Sequence, residues 1–166
     1  MSKERELREH CCCFTGHRPE KLTMPEHEVK AALEAQIRAT IRDGFQIFIS
    51  GMARGVDIWA ADIVLQLRNE GQPIRLICAL PFPGFGLNWS EKWQNPYRQI
   101  LKDADMVWTV CPKYSQRCFQ IRNQWMVDRS SRVIAVYNGA HGGTRNTIEY
   151  AASQGIPIIK IWGPHI

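Results

Sequence analysis

The stretch Val133 to Ala152, VIAVYNGAHGGTRNTIEYAA, joins an apolar strand, a glycine loop and a helix start in immediate succession. Val133 to Tyr137 reads as the strand, and from Thr144 the apolar residues Ile148, Ala151 and Ala152 recur at helical spacing. A chain entering a helix through Gly142 and Gly143 leaves N–H groups unpaired at the helix start, where the dipole favours phosphate or another anion. Thr144 is placed to cap that helix and to offer a hydroxyl. The same loop also fits an ordinary turn whose glycines serve backbone geometry alone. Two further loops repeat the pattern, Thr15-Gly16-His17-Arg18-Pro19 and Ser50-Gly51-Met52-Ala53-Arg54-Gly55. Arg18 and Arg54 have the planar fork that clamps phosphate oxygens, and serve equally as solvated surface arginines. His17 can hydrogen-bond a base or ribose, or simply be polar filler. Asp57 falls in a first helical turn, where a carboxylate suits the dipole with or without a ribose hydroxyl to accept from. Arg122 and Met126, four residues apart, share a helix face. Trp89, Trp93 and Tyr97 can stack on a base as a lid or pack inward.

Alternating strands and helices position these residues. Cys11 to Phe14, Phe45 to Ile49, Ile74 to Leu80, Met106 to Val110, Val133 to Tyr137 and Pro157 to Trp162 read as strands. The intervening segments carry helical periodicity. Thr23 with Glu26 forms a capping box ahead of Val29, Leu33 and Ile37. Val56 to Leu67 makes a second helix, Pro96 sits in the first turn of a short one, and Cys118 to Met126 makes another. In a strand Cys11 and Cys13 share one face and Cys12 takes the other. The expectation is α/β, a Rossmann-like three-layer fold with a mostly parallel sheet of about six strands and right-handed crossovers. In such sheets ligands bind beyond the carboxyl ends of the strands, where all three glycine loops lie. Neither G-x-G-x-x-G nor G-x-x-x-x-G-K occurs, which argues against NAD or ATP bound in the usual ways.

With 166 residues, 45% hydrophobic and 22% charged, the chain reads as a single domain over 1–166 with a charged N-terminal tail at 1–10. No apolar run approaches the roughly 20 residues of a membrane span, and the start MSKERELREH is not signal-like, so the expected location is cytoplasmic. Six cysteines without framework spacing read as reduced thiols, and no metal site is expected. The net charge of +5 suits an anionic ligand. Aromatic and basic residues do not form one run, which argues against nucleic acid as a partner.

Taken together, Thr15-Gly16-His17-Arg18-Pro19, Ser50 to Asp57, Ala79-Leu80-Pro81-Phe82, Arg122-Asn123 with Met126-Val127-Asp128, and Gly142-Gly143-Thr144 resemble the YpsA-like family of bacterial proteins. The resemblance spans residues 11 to 162. That family belongs to the SLOG superfamily of Rossmann-like domains, which includes the DNA-uptake protein DprA and the LOG phosphoribohydrolases. It implies a pocket for a nucleotide or nucleotide-derived ligand and no established cofactor. The implied contacts are Thr15, Gly16, His17, Arg18, Ser50, Gly51, Arg54, Gly55, Asp57, Pro81, Arg122, Asn123, Gly142, Gly143, Thr144 and Thr147. In the LOG enzymes an arginine matching Arg122 is catalytic, and a catalytic glutamate stands three residues after the loop threonine. Here that position is Thr147. A threonine hydroxyl does not activate water at neutral pH, and Glu149 lies about 200 degrees around the helix, so it cannot substitute. Asp128 is the nearest other carboxylate, with pairing to Arg129 or Arg132 as its ordinary role. The leading expectation is a nucleotide-binding sensor or regulatory module that partners a small-molecule nucleotide derivative, with a homo-oligomer open. A nucleotide N-glycosidase stands second, and DprA-like binding of single-stranded DNA third.

Overall fold

The fold is built on a central strand that is apolar on both sides, as a sheet covered on both faces requires. The computed structural model describes residues 3–162. In order it forms α1 (Lys3–Glu9), β1 (Cys11–Gly16), α2 (Glu26–Arg42), β2 (Ile47–Ser50), α3 (Val56–Asn69) and β3 (Arg75–Leu80). Then come α4 (Glu91–Asp103), β4 (Met106–Thr109), α5 (Cys118–Asp128), β5 (Arg132–Tyr137), α6 (Gly143–Ser153) and β6 (Ile158–Trp162). The six strands make one sheet in the order β4-β3-β2-β1-β5-β6, and every pairing is parallel. The expected Rossmann-like α/β fold is therefore observed.

Side-chain alternation divides β1 between two cores. Cys12 and Phe14 pack with Val29 and Leu33 of α2 and with Val56, Ala60 and Val64 of α3. Cys11 and Cys13 face Met126 and Val127 of α5 and Ile148 and Ala151 of α6. The chain runs outward from β1 to β4 on one side, then returns to place β5 on the other side of β1. That reversal separates the loops after β1 and β5 and opens a crevice at the carboxyl edge of the sheet.

Several local expectations are corrected. Residues 3–9 of the expected tail form α1, held to the domain by Arg8 Nε donating to the Ser130 carbonyl and Ser131 Oγ to the Glu9 carbonyl. Straight-chain helix formers offset the lack of a buried face there; residues 1 and 2 lie outside the described residues. The Thr23 capping box does not form: Pro25, fixed near φ −60°, precedes α2, and Thr23 Oγ1 is buried without a hydrogen bond. Helix α4 starts at Glu91, so Pro96 lies in its interior. Thr144 is the second residue of α6 and does not cap it, because Gly142 occupies the cap position. Among the described residues no helix is long and apolar enough to cross a membrane.

Candidate functional site

The crevice at the strand-order reversal encloses about 520 Å³ and is walled by the loops after β1, β2, β3 and β5 together with α5. Its floor carries two buried charges. Arg122 projects from the sheet-facing side of α5, beside buried Met126 as their four-residue spacing predicts. Its Nη1 donates to the carbonyls of Gly51 and Ala79, and its Nε donates to Asn123 Oδ1 at 2.8 Å. These contacts tie α5 to the ends of β2 and β3. Burial lowers the pKa of its guanidinium from the ordinary value, while Asp57 opposes that shift. The Phe85 ring lies 5.8 Å from Arg122 Cζ, within cation–π reach.

Asp57, in the first turn of α3, is only 6% exposed. Its Oδ2 accepts from the Ala53 N–H at 3.2 Å, and its Oδ1 is buried without a hydrogen-bond partner. Burial pushes its carboxyl up to about 6, with Arg122 and the Ala53 N–H pulling the other way. The site thus keeps a proton-sensitive carboxylate beside a fixed cation.

Of the residues picked out by sequence, Thr15, Gly16, His17, Arg18, Arg54, Asp57, Arg122, Asn123 and Gly142, Gly143, Thr144 all border the crevice. His17 is buried and stacks on Tyr137, with centroids 5.5 Å apart. Arg18 is exposed at the rim. Arg54 is engaged with Glu20 at 2.7 Å. Ser50, Gly51, Gly55 and Pro81 do not border the crevice. Ser50 Oγ instead donates to the Asp57 carbonyl and accepts from the Met52 N–H, bracing the loop. Thr147 borders a smaller neighbouring groove, its hydroxyl donating to the Gly143 carbonyl at 2.9 Å. Glu149 pairs with Arg145 and is exposed. Asp128 accepts from the Tyr150 hydroxyl rather than pairing with Arg129 or Arg132; Arg129 stacks on Trp125, and Arg132 bonds Asp43.

Sequence reasoning missed Lys21, Phe85 and Phe119. Lys21 reaches the crevice from the 3₁₀ turn Pro19–Lys21, and its Nζ lies 3.8 Å from where a Cβ on Gly142 would stand. Phe82, Phe85, Trp89 and Phe119 form an aromatic wall of edge-on contacts at 5.0 to 6.0 Å. Of the three expected lid residues only Trp89 borders the crevice. Tyr97 is buried and donates to the Phe85 carbonyl, and Trp93 packs against Trp59. Among the described residues no three His, Cys, Asp or Glu side chains gather to hold a metal ion.

Comparison with known proteins agrees with this architecture. A protein of Bacillus thuringiensis strain Al Hakam, named a UPF0398 protein, is 30% identical over 149 residues, covering 84% of this chain and 80% of the relative. Its counterpart in Bacillus pumilus strain SAFR-032 is 30% identical over 139 residues, 78% and 74% of the two chains. DNA processing protein A (DprA) of Streptococcus pneumoniae has a similar fold, with a TM-score of 0.66 and 19% identity over 93% of this chain and 50% of that one. This chain thus spans half the length of that protein. The Helicobacter pylori protein of the same name superposes with a TM-score of 0.65 and 18% identity over 96% and 68% of the chains, and its structure describes a single-stranded DNA binding mode. The expectation that nucleic acid is an unlikely partner is corrected by these neighbours, because a fold of this kind serves a DNA-binding protein. Basic and aromatic residues form no single run along the chain, but the fold collects them at the crevice from separate loops. The sequence profile of the YspA SLOG family matches residues 12–155, and the chain belongs to that family.

Proposed function

We propose that the crevice binds a nucleotide or nucleotide-derived ligand as a sensor or regulatory module. The observation that carries this reading is the buried Arg122 and Asp57 pair on the crevice floor, between the start of α6 and an aromatic wall. An internal cation and a carboxylate with an unpartnered oxygen are costly to maintain in a purely structural role. The α6 N–H groups with Lys21 and Arg18 suit a phosphate, and Phe82, Phe85, Trp89 and Phe119 suit a base. Thr147, with its hydroxyl turned to the Gly143 carbonyl, supports binding without cleavage of an N-glycosidic bond. Adenosine, guanosine and cytidine monophosphates are therefore expected to bind in titration calorimetry and to release no free base on long incubation, with Thr147→Glu as the gain-of-function control. Base release by the unmodified protein, lost in Arg122→Lys, would replace this reading with a hydrolase.

Binding of single-stranded DNA is a second reading, favoured by the fold likeness to the H. pylori protein. Salt separates the two. Each phosphate neutralised on a single strand lowers log K by about 0.7 per decade of salt, so a steep salt slope that grows with oligonucleotide length would promote the strand over the free nucleotide.

A further inference from the structure

A groove of about 160 Å³ lies between α5 and α6. Its walls are carboxamides: Gln116 just ahead of α5, Gln120, Asn123 and Gln124 on one stripe of α5, and Asn146 on α6. Among the described residues none that borders the groove is charged. Gln116, Gln120, Gln124 and Asn146 make no side-chain hydrogen bond within the described residues, while Asn123 spends only its Oδ1, on Arg122. Each carboxamide offers one acceptor oxygen and two N–H donors. Phe119 and Tyr150 add aromatic surface. A pocket for a whole small ligand runs to roughly 300–1,000 Å³. The groove is smaller and accommodates one uncharged hydrogen-bonding ring, of the kind Asn and Gln read bidentately on an adenine edge.

The groove and the crevice meet at the first turn of α6, where Phe119, Asn123 and Gly143 border both. An anion held at that turn has an opening on each side. A phosphate monoester uses one of them; a phosphodiester uses both. Resting on the proposed nucleotide site, we infer that the groove is a second subsite and that the preferred ligand is a phosphodiester joining two nucleosides, one against the aromatic wall and one between α5 and α6. A free dinucleotide and a strand of nucleic acid share this chemistry.

Calorimetry with adenosine monophosphate, with two adenosines joined by one phosphodiester, and with a short oligoadenylate tests this. The dinucleotide should bind at least about tenfold more tightly than the monophosphate, a difference of one decade in Kd. In the double variant Gln120→Leu/Asn146→Leu, at exposed positions whose loss leaves the core intact, that preference should fall about five- to tenfold. An oligonucleotide whose affinity keeps rising with length identifies the strand as the source; a plateau at two units identifies the free dinucleotide. Equal affinities in the wild type, or a preference that survives the double variant, overturn the subsite while leaving the nucleotide reading in place. Binding of none of the three overturns both.

Discussion

The glycines after β1 and β2 and those after β5 look alike in sequence but answer to different constraints. A Cβ on Gly16 would stand 2.5 Å from Val56, and one on Gly51 would meet the Arg122 guanidinium at 2.9 Å. Gly55, at φ +91°, would press on Pro19 at 2.9 Å. On this side Val56 of α3, the Arg122 guanidinium and Pro19 each come so close that a side chain is excluded. On the β5 side, Gly142 has φ +145°, but a Cβ on it would meet nothing nearer than Lys21 Nζ at 3.8 Å. A Cβ on Gly143 would find only Asn123 Nδ2, at 4.0 Å, and Gly143 opens α6 without a positive φ. The fold explains the first set; it does not explain Gly143, which borders both the crevice and the groove. Packing thus demands glycine at 16, 51 and 55, whereas a side chain at 143 would make only an ordinary contact.

Substitutions on the two sides should have opposite effects on stability and binding. Gly16→Val forces a branched side chain into Val56 and should cost about 3 kcal/mol or more, at the upper end of overpacking, read as a lowered urea midpoint. Asp57 belongs to the same crowded side. Its folded pKa of about 6 lies above its ordinary 3.8, so the unfolded chain ionises first. Its contribution is fully present below about pH 4, falls as pH rises through 6, and is level above that. Relative to Asp57→Asn, the wild type should lose up to about 3 kcal/mol between pH 4 and pH 7, and urea midpoints without that slope would contradict the burial argument. Gly143→Val should do the reverse of Gly16→Val: a stability change within about 1 kcal/mol but at least about a tenfold loss of nucleotide affinity. Unchanged calorimetry would erase the distinction between the two loops. The smallest effect belongs to Glu20→Ala, which removes the partial surface pair with Arg54. Stability should move by less than about 1 kcal/mol, while the released Arg54 raises affinity for a phosphate ligand.

Short-range physics was legible in the sequence. The alternation of Cys11, Cys12 and Cys13 between two cores, the shared face of Arg122 and Met126, and the glycine loops at one sheet edge follow from strand and helix periods and from connection rules. What depended on long-range assembly was not. Lys21 approaches Gly142 across more than a hundred residues, and Phe119 meets Phe85 only because α5 crosses the end of β3. The capping box at Thr23 is a local signal overridden by Pro25, whose fixed φ moves the helix start forward. Helix α1 lacks the apolar stripe that reveals a helix by period, since none of its residues is buried. The expectation against nucleic acid shows the same limit, because surface composition along a chain does not report which loops a sheet gathers.

The three consecutive cysteines of β1 have a consequence for reactivity. All six cysteines are buried and unpaired. Burial pushes the Cys11 thiol up to about 11 and those of Cys13 and Cys78 to about 12. Since the thiolate is the reactive form, burial leaves Cys13 almost wholly in its unreactive thiol form at neutral pH. Oxidants and alkylating agents therefore act on Cys12 and Cys13 only when the middle of the sheet comes apart. The rate at which these thiols become modified is a clock for that opening, readable from mass increments without any engineered probe.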